Sequence, residues 1–151
     1  MNNYFKTICC LFILISINVQ AQISDTKVAA LVEALRLGAM DGKLYSEWQI
    51  KPQNITDWST RYLGKTITPE EFAANPAVAR QILEIKMGNL LREQYKFSGQ
   101  DETIAVLRTA SWWMSGIPEN YNANPKLEVF TQNILKFYQE ILETPKKVIK
   151  D

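Results

Sequence analysis

Any chemistry this sequence performs has to run on a short list of side chains. Histidine is absent from all 151 residues, and the two cysteines stand side by side at Cys9 and Cys10. Imidazole bases, histidine-dependent nucleophiles and the usual His/Cys zinc sites are thereby excluded, and no metal ion or cofactor is expected. Carboxylates, lysines, tyrosines and hydroxyls remain. They gather with aromatic residues in the run Leu44 to Phe72, LYSEWQIKPQNITDWSTRYLGKTITPEEF, whose five rings are Tyr45, Trp48, Trp58, Tyr62 and Phe72. Within it, Glu47 stands beside Trp48. A carboxyl group shielded from water by an indole has a raised pKa and can donate a proton near neutral pH, as a general acid must. Glu47 fits a solvated carboxylate on the rim of a loop equally well. Ser24-Asp25-Thr26-Lys27 matches the Ser-x-x-Lys spacing of penicillin-binding serine enzymes, but the partner Ser-Asp-Asn and Lys-Thr-Gly motifs are missing, so the tetrad carries no weight.

The elements that must position these groups are helical. Ser24 or Asp25 caps a first helix with apolar residues at Val28, Leu31, Val32 and Leu35, ending near Gly38. Pro52 opens a second helix with Ile55, Trp58, Tyr62 and Leu63 on its packing face and Gly64 just past its end. Thr68, Pro69 and Glu71 form a capping box ahead of Phe72. Asn75-Pro76 restarts a helix that is apolar on most sides through Tyr95, the pattern of a central helix. Gly99 and Asp101 introduce another over Glu102 to Met114. A loop from Glu119 to Asn124 precedes a last helix with Leu127, Phe130, Ile134, Phe137 and Ile141, stopped by Pro145. No strand alternation persists. The expected fold class is all-α, a single domain of about six helices.

Lys6, the apolar run Ile8 to Ile17, and Val19 and Ala21 at the minus-three and minus-one positions together read as a signal peptide over residues 1–21. The apolar run is shorter than the roughly 18 residues of a membrane span. The expectation is an exported protein, periplasmic or extracellular, with no membrane span after cleavage, a domain over 22–145 and a charged tail over 146–151. Cleavage removes both cysteines, so stability has to come from packing. It also removes Lys6, leaving 17 − 1 = 16 basic groups against 16 acidic ones. That balance gives no basic field for nucleic acid.

Ser46-Glu47-Trp48-Gln49-Ile50-Lys51-Pro52 resembles the Gly-x-x-Gln-aliphatic-x-Pro motif of the lysozyme-like superfamily, in particular bacterial and phage lytic transglycosylases, with Ser46 in place of Gly. The similarity continues through Asn54-Ile55, Trp58, Leu63-Gly64, Thr68-Pro69-Glu70-Glu71-Phe72 and Asn75-Pro76 to Trp112-Trp113-Met114-Ser115-Gly116. The resemblance implies a lysozyme-like fold with a substrate groove. It also implies a peptidoglycan-cleaving activity in which one Glu acts as general acid and base while a hydroxyl of the sugar attacks. Glycan strands of peptidoglycan would be the partner.

The Glu-Ser-Gly that carries this chemistry in active relatives has no counterpart. Two glutamates are alternatives for the catalytic role. Glu33 precedes Gln49 by 16 residues, near the family spacing, but also fits a helix residue paired with Arg36. Glu47 lies inside the motif, and Asp41 is a third option. If none acts, the domain is a catalytically inactive relative that binds glycan or a protein partner. For substrate binding, Gln49 could hydrogen-bond N-acetyl groups or ring hydroxyls, or else cap the Pro52 helix. Tyr45 or Trp113 is expected to stack on a sugar ring, with the other tryptophan of the 112–113 pair in the core. Trp58 and Tyr62 are read as packing residues.

Overall fold

The computed structural model describes residues 22–39 and 44–144. The leader at 1–21, Asp41, Pro145 and the tail at 146–151 lie outside the described residues. Six α-helices follow in order: α1 (Asp25–Leu37), α2 (Pro52–Leu63), α3 (Pro69–Ala74), α4 (Pro76–Phe97), α5 (Glu102–Ser115) and α6 (Pro125–Glu143). Among the described residues there is no strand, and the all-α class holds.

Local chemistry sets most boundaries. The side chains of Ser24, Thr68, Asn75, Asp101 and Asn124 each accept a hydrogen bond from a backbone N–H in the first turn of the helix they precede. Such caps satisfy donors that the helix cannot satisfy itself. At Thr68 the box is complete, with the Thr68 amide donating back to Glu71 Oε2 at 2.7 Å. α2 and α5 end on Gly64 and Gly116 in the left-handed conformation, φ 68° and 80°, which closes a helix without a Cβ penalty.

α4 packs against α1, α2, α3 and α5, as its all-round apolarity predicts. Its Ile82, Leu83, Met87 and Leu91 are fully buried, together with Leu31 and Leu35 of α1, Ile55 of α2, Phe72 of α3 and Val106 of α5. Each such side chain contributes about 1.5–3 kcal/mol through removal from water. Gly88 marks the crossing of α4 with α1, where an added Cβ would lie 3.2 Å from Val28 Cγ1. α6 covers α1 and α5. At that end of the bundle, Tyr138 of α6 donates to Glu102 Oε1 of α5 at 2.7 Å, and Lys27 of α1 pairs with the other oxygen of the same carboxylate.

Two expectations are corrected. The segment after α5 is a 3-10 helix over Pro118–Asn122, held by Thr131 Oγ1 donating to the Tyr121 carbonyl at 3.0 Å. The buried stripe of α6 is Leu127, Thr131, Ile134, Leu135 and Tyr138. Phe130, Phe137 and Ile141 flank that stripe and are only partly covered. The polar members went unread because Thr131 and Tyr138 enter the core by bonding to the turn before α6 and to Glu102, which hydropathy does not register.

Candidate functional site

The site is built around the turn that joins α1 to α2. Tyr45 and Ile50 exchange backbone hydrogen bonds, N to O 3.3 Å and 2.9 Å, making a minimal hairpin. Closing it in four residues forces Ser46 and Gln49 to positive φ, 61° and 55°. A Gly is the natural occupant of such a position. Ser46 occupies it with its Oγ accepting from the Trp48 amide at 3.3 Å. The Gln49 side chain braces the same turn, accepting from the Leu44 amide at 3.0 Å and donating to the Ser46 carbonyl at 3.2 Å. It does not cap α2, whose N-terminus has no side-chain cap. An amide carries two donor hydrogens and two acceptor lone pairs, so Gln49 retains one of each. Trp48 points inward, 2 % exposed, and its indole N–H donates to the Val32 carbonyl at 2.8 Å, pinning the turn to α1.

Against this turn opens a cleft of about 340 Å³, lined by Gln49, Lys51, Asn54 and Trp58 from the turn and α2 and by Trp112 and Trp113 from α5. That volume lies in the range of small-molecule clefts, roughly 300–1,000 Å³. Trp58 and Trp113 face each other with ring centroids 6.5 Å apart and planes inclined by 38°. Lys86 of α4 sits on the Trp112 ring, its Nζ 4.2 Å from the centroid, a cation-π contact. Burial, followed by the nearby Arg61 guanidinium, pushes the Lys86 ammonium pKa down, with Glu93 acting weakly the other way.

Gln49 and Trp113 therefore line the same cleft, and Tyr45 does not join them. Its hydroxyl donates to Glu70 Oε1 at 3.2 Å, and that carboxylate raises its pKa. Trp112 and Trp113 both line the cleft rather than dividing between core and solvent. They belong to the last turn of α5, where Trp112 is flanked by Lys86 and Trp113 by Trp58, so neither ring is enclosed. Trp58 packs against the core as read and lines the cleft too. Lys51 and Asn54 stand within the motif strings with no binding role assigned, and Lys86 is not singled out in the sequence. Lys86 precedes Trp112 by 26 residues, and no local spacing signals their meeting.

The glutamates sit in a cluster of their own. Glu33 pairs with Arg36, Nη2 to Oε1 2.5 Å, and with Arg80 of α4, Nη2 to Oε2 2.7 Å. The Arg36 hydrogen bond outweighs partial burial and, with help from Arg80, holds the Glu33 carboxyl below its ordinary pKa. Arg36 reaches Glu47 as well, Nη1 to Oε2 3.3 Å, and the Glu47 side chain is 60 % exposed. Arg80 lies 5.5 Å from the centroid of the Trp48 ring. This arrangement keeps Glu33 ionised, opposite to what proton donation requires. Neither glutamate is among the lining residues of the cleft.

Comparison of the chain with protein-family models, with characterised proteins and with solved structures found no match.

Proposed function

We propose that this protein is a lysozyme-like, non-cleaving glycan binder whose tryptophan cleft holds a segment of a peptidoglycan strand. The observation that carries this reading is the composition of the cleft. Three indoles, Trp58, Trp112 and Trp113, line it together with the amides of Gln49 and Asn54. Flat aromatic surfaces cover the apolar faces of sugar rings, and amides match their N-acetyl and hydroxyl groups. The left-handed Ser46 at the position where the resemblance implies Gly adds support from the backbone. Such a role places the protein in the envelope, in keeping with the leader read from the sequence.

Binding is tested directly. Purified protein lacking residues 1–21 is sedimented with insoluble peptidoglycan and also titrated with neutral N-acetylglucosamine oligomers, following tryptophan emission. Retention and saturable binding are expected, with Trp113→Ala weakening both about tenfold or more while its circular dichroism stays helical. No retention beyond that of an unrelated neutral protein refutes the proposal.

Cleavage by Glu33 is the second reading. It is favoured by one observation, the Trp48 to Val32 hydrogen bond that fixes the Gln49 turn to α1 one residue from Glu33. It requires Glu33 to leave both arginines. Release of soluble anhydro-sugar fragments by wild type and not by Glu33→Gln would establish it. Intact strands after prolonged incubation would dismiss it.

A further inference from the structure

The turn that supplies Gln49 to the cleft is held by groups that stand outside the cleft. Ser46 and Gln49 store strain in it, as residues other than glycine at φ 61° and 55°. Each such residue lowers the population of its conformation by a factor of about five or more, and persists only where its surroundings over-determine it. The apolar part of that constraint is Trp48 and Ile50, both buried, with the Trp48 indole on the Val32 carbonyl. The polar part runs through carboxylates. Tyr45 donates to Glu70 of α3, Glu47 pairs with Arg36 of α1, and Arg80 of α4 lies against the Trp48 ring. Glu33 holds both arginines, and Glu84 stands 3.9 Å from Arg80. A contact of this exposed kind shifts an equilibrium by up to about fivefold, so the three together are of the same order as the strain of two residues.

We infer that this turn is an acid-released wall of the cleft: with its carboxylates ionised it presents Gln49, and with them protonated it loosens about the Trp48 anchor and the cleft loses that wall. The step is proton uptake alone. A neutral Glu47 no longer attracts Arg36, and a neutral Glu33 loses its ionic hold on Arg36 and on the Arg80 that covers Trp48. Relief of the two left-handed residues then opens the hydrogen bonds between Tyr45 and Ile50. The bond from Trp48 to the Val32 carbonyl has no titrating group and stays as the pivot. The Arg36 hydrogen bond first, then Arg80, keeps the Glu33 pKa below its ordinary value against partial burial. Its share of the restraint is therefore complete above 4.5 and is lost as pH falls through the lower folded value. As regulation of a ligand site the inference rests on the glycan-binding reading, whereas the response of the turn can be read without a ligand.

The experiment is amide hydrogen exchange by NMR on the purified protein of the binding test. Protection factors are taken from pH 7 down to the lowest pH at which circular dichroism stays native. Over that range the Tyr45 and Ile50 amides should lose at least tenfold more protection than the Leu83 and Met87 amides of α4. At pH 7, Glu33→Gln should lower the ratio of turn to α4 protection about threefold. Asp25→Asn, which removes the carboxylate paired with Arg92 away from the turn, should leave that ratio within twofold of wild type. Binding of a neutral N-acetylglucosamine tetramer, which carries no titrating group, should weaken at least threefold over the same interval. Turn and α4 protection falling in step, or Asp25→Asn acting as strongly as Glu33→Gln, overturns the inference. A loosened turn with undiminished tetramer binding overturns its control of the cleft. No tetramer binding at any pH overturns the glycan-binding reading alone, because exchange still decides whether the carboxylates hold the turn.

Discussion

Glu33 holds two guanidinium groups, and the effect of losing it should follow pH. Its folded pKa lies below the ordinary value of 4.5, so its contribution to stability is complete above that value and disappears as pH falls through the lower folded pKa. Glu33→Gln should therefore lower stability by about 1 kcal/mol at pH 7, the upper range for a partly exposed pair. The loss should shrink steadily as pH falls below 4.5, as read from urea midpoints of the two proteins across that range. Trp48 is a stronger anchor. Trp48→Ala removes a buried ring and the bond to the Val32 carbonyl, and should cost about 3–5 kcal/mol in urea unfolding. The adjacent residue that carried the acid hypothesis, Glu47, is held only by Arg36 and faces solvent, so Glu47→Gln should leave the midpoint nearly unchanged.

At the scale of the elements, the helices were legible because their signals are local. The capping box at Thr68, the Asn75-Pro76 restart and the Gly64 terminus each need only neighbours within four residues. Thr68→Ala should destabilise by about 1 kcal/mol in chemical denaturation. The Gln49 turn could be located from its motif, but the job of its amide could not, because both of its partners are backbone groups of the same turn. Only half of the cleft was visible for a related reason. Gln49 and Trp113 have distinctive chemistry, whereas Lys51 and Asn54 line the cleft, and Lys86 meets the Trp112 ring beside it, only when α2, α4 and α5 converge. Gly38 is another case of tertiary meaning. A Cβ there would come within 2.3 Å of Ile134 Cδ1 on α6. Gly38→Ala should push α6 outward and cost about 1–3 kcal/mol, the usual range for overpacking, seen as a fall in thermal midpoint.

For the whole molecule, α4 is the shared wall of the core, and truncations there should be the most damaging. Leu83→Ala should cost about 2–5 kcal/mol, more than Leu127→Ala at the edge of α6, with both monitored by the same helical signal. The sequence announced α4 as central because apolar residues surround it, and that judgement needed no knowledge of its neighbours. The order in which those neighbours join had no such signature.

That order has a consequence for the chain as it is being made. α1, the first described helix to be synthesised, packs chiefly against α4 and α6, and α6 is the last described one. At about 5–20 residues per second, the ribosome takes on the order of ten seconds to travel from the end of α1 to the end of α6. Throughout that interval Leu31, Leu35 and their neighbours have no complete surface to close upon. The face of α1 that α6 covers therefore stays bare until the last described helix arrives. A chain ended before Pro125 should remain open indefinitely, giving rapid proteolysis throughout its length where the complete protein resists.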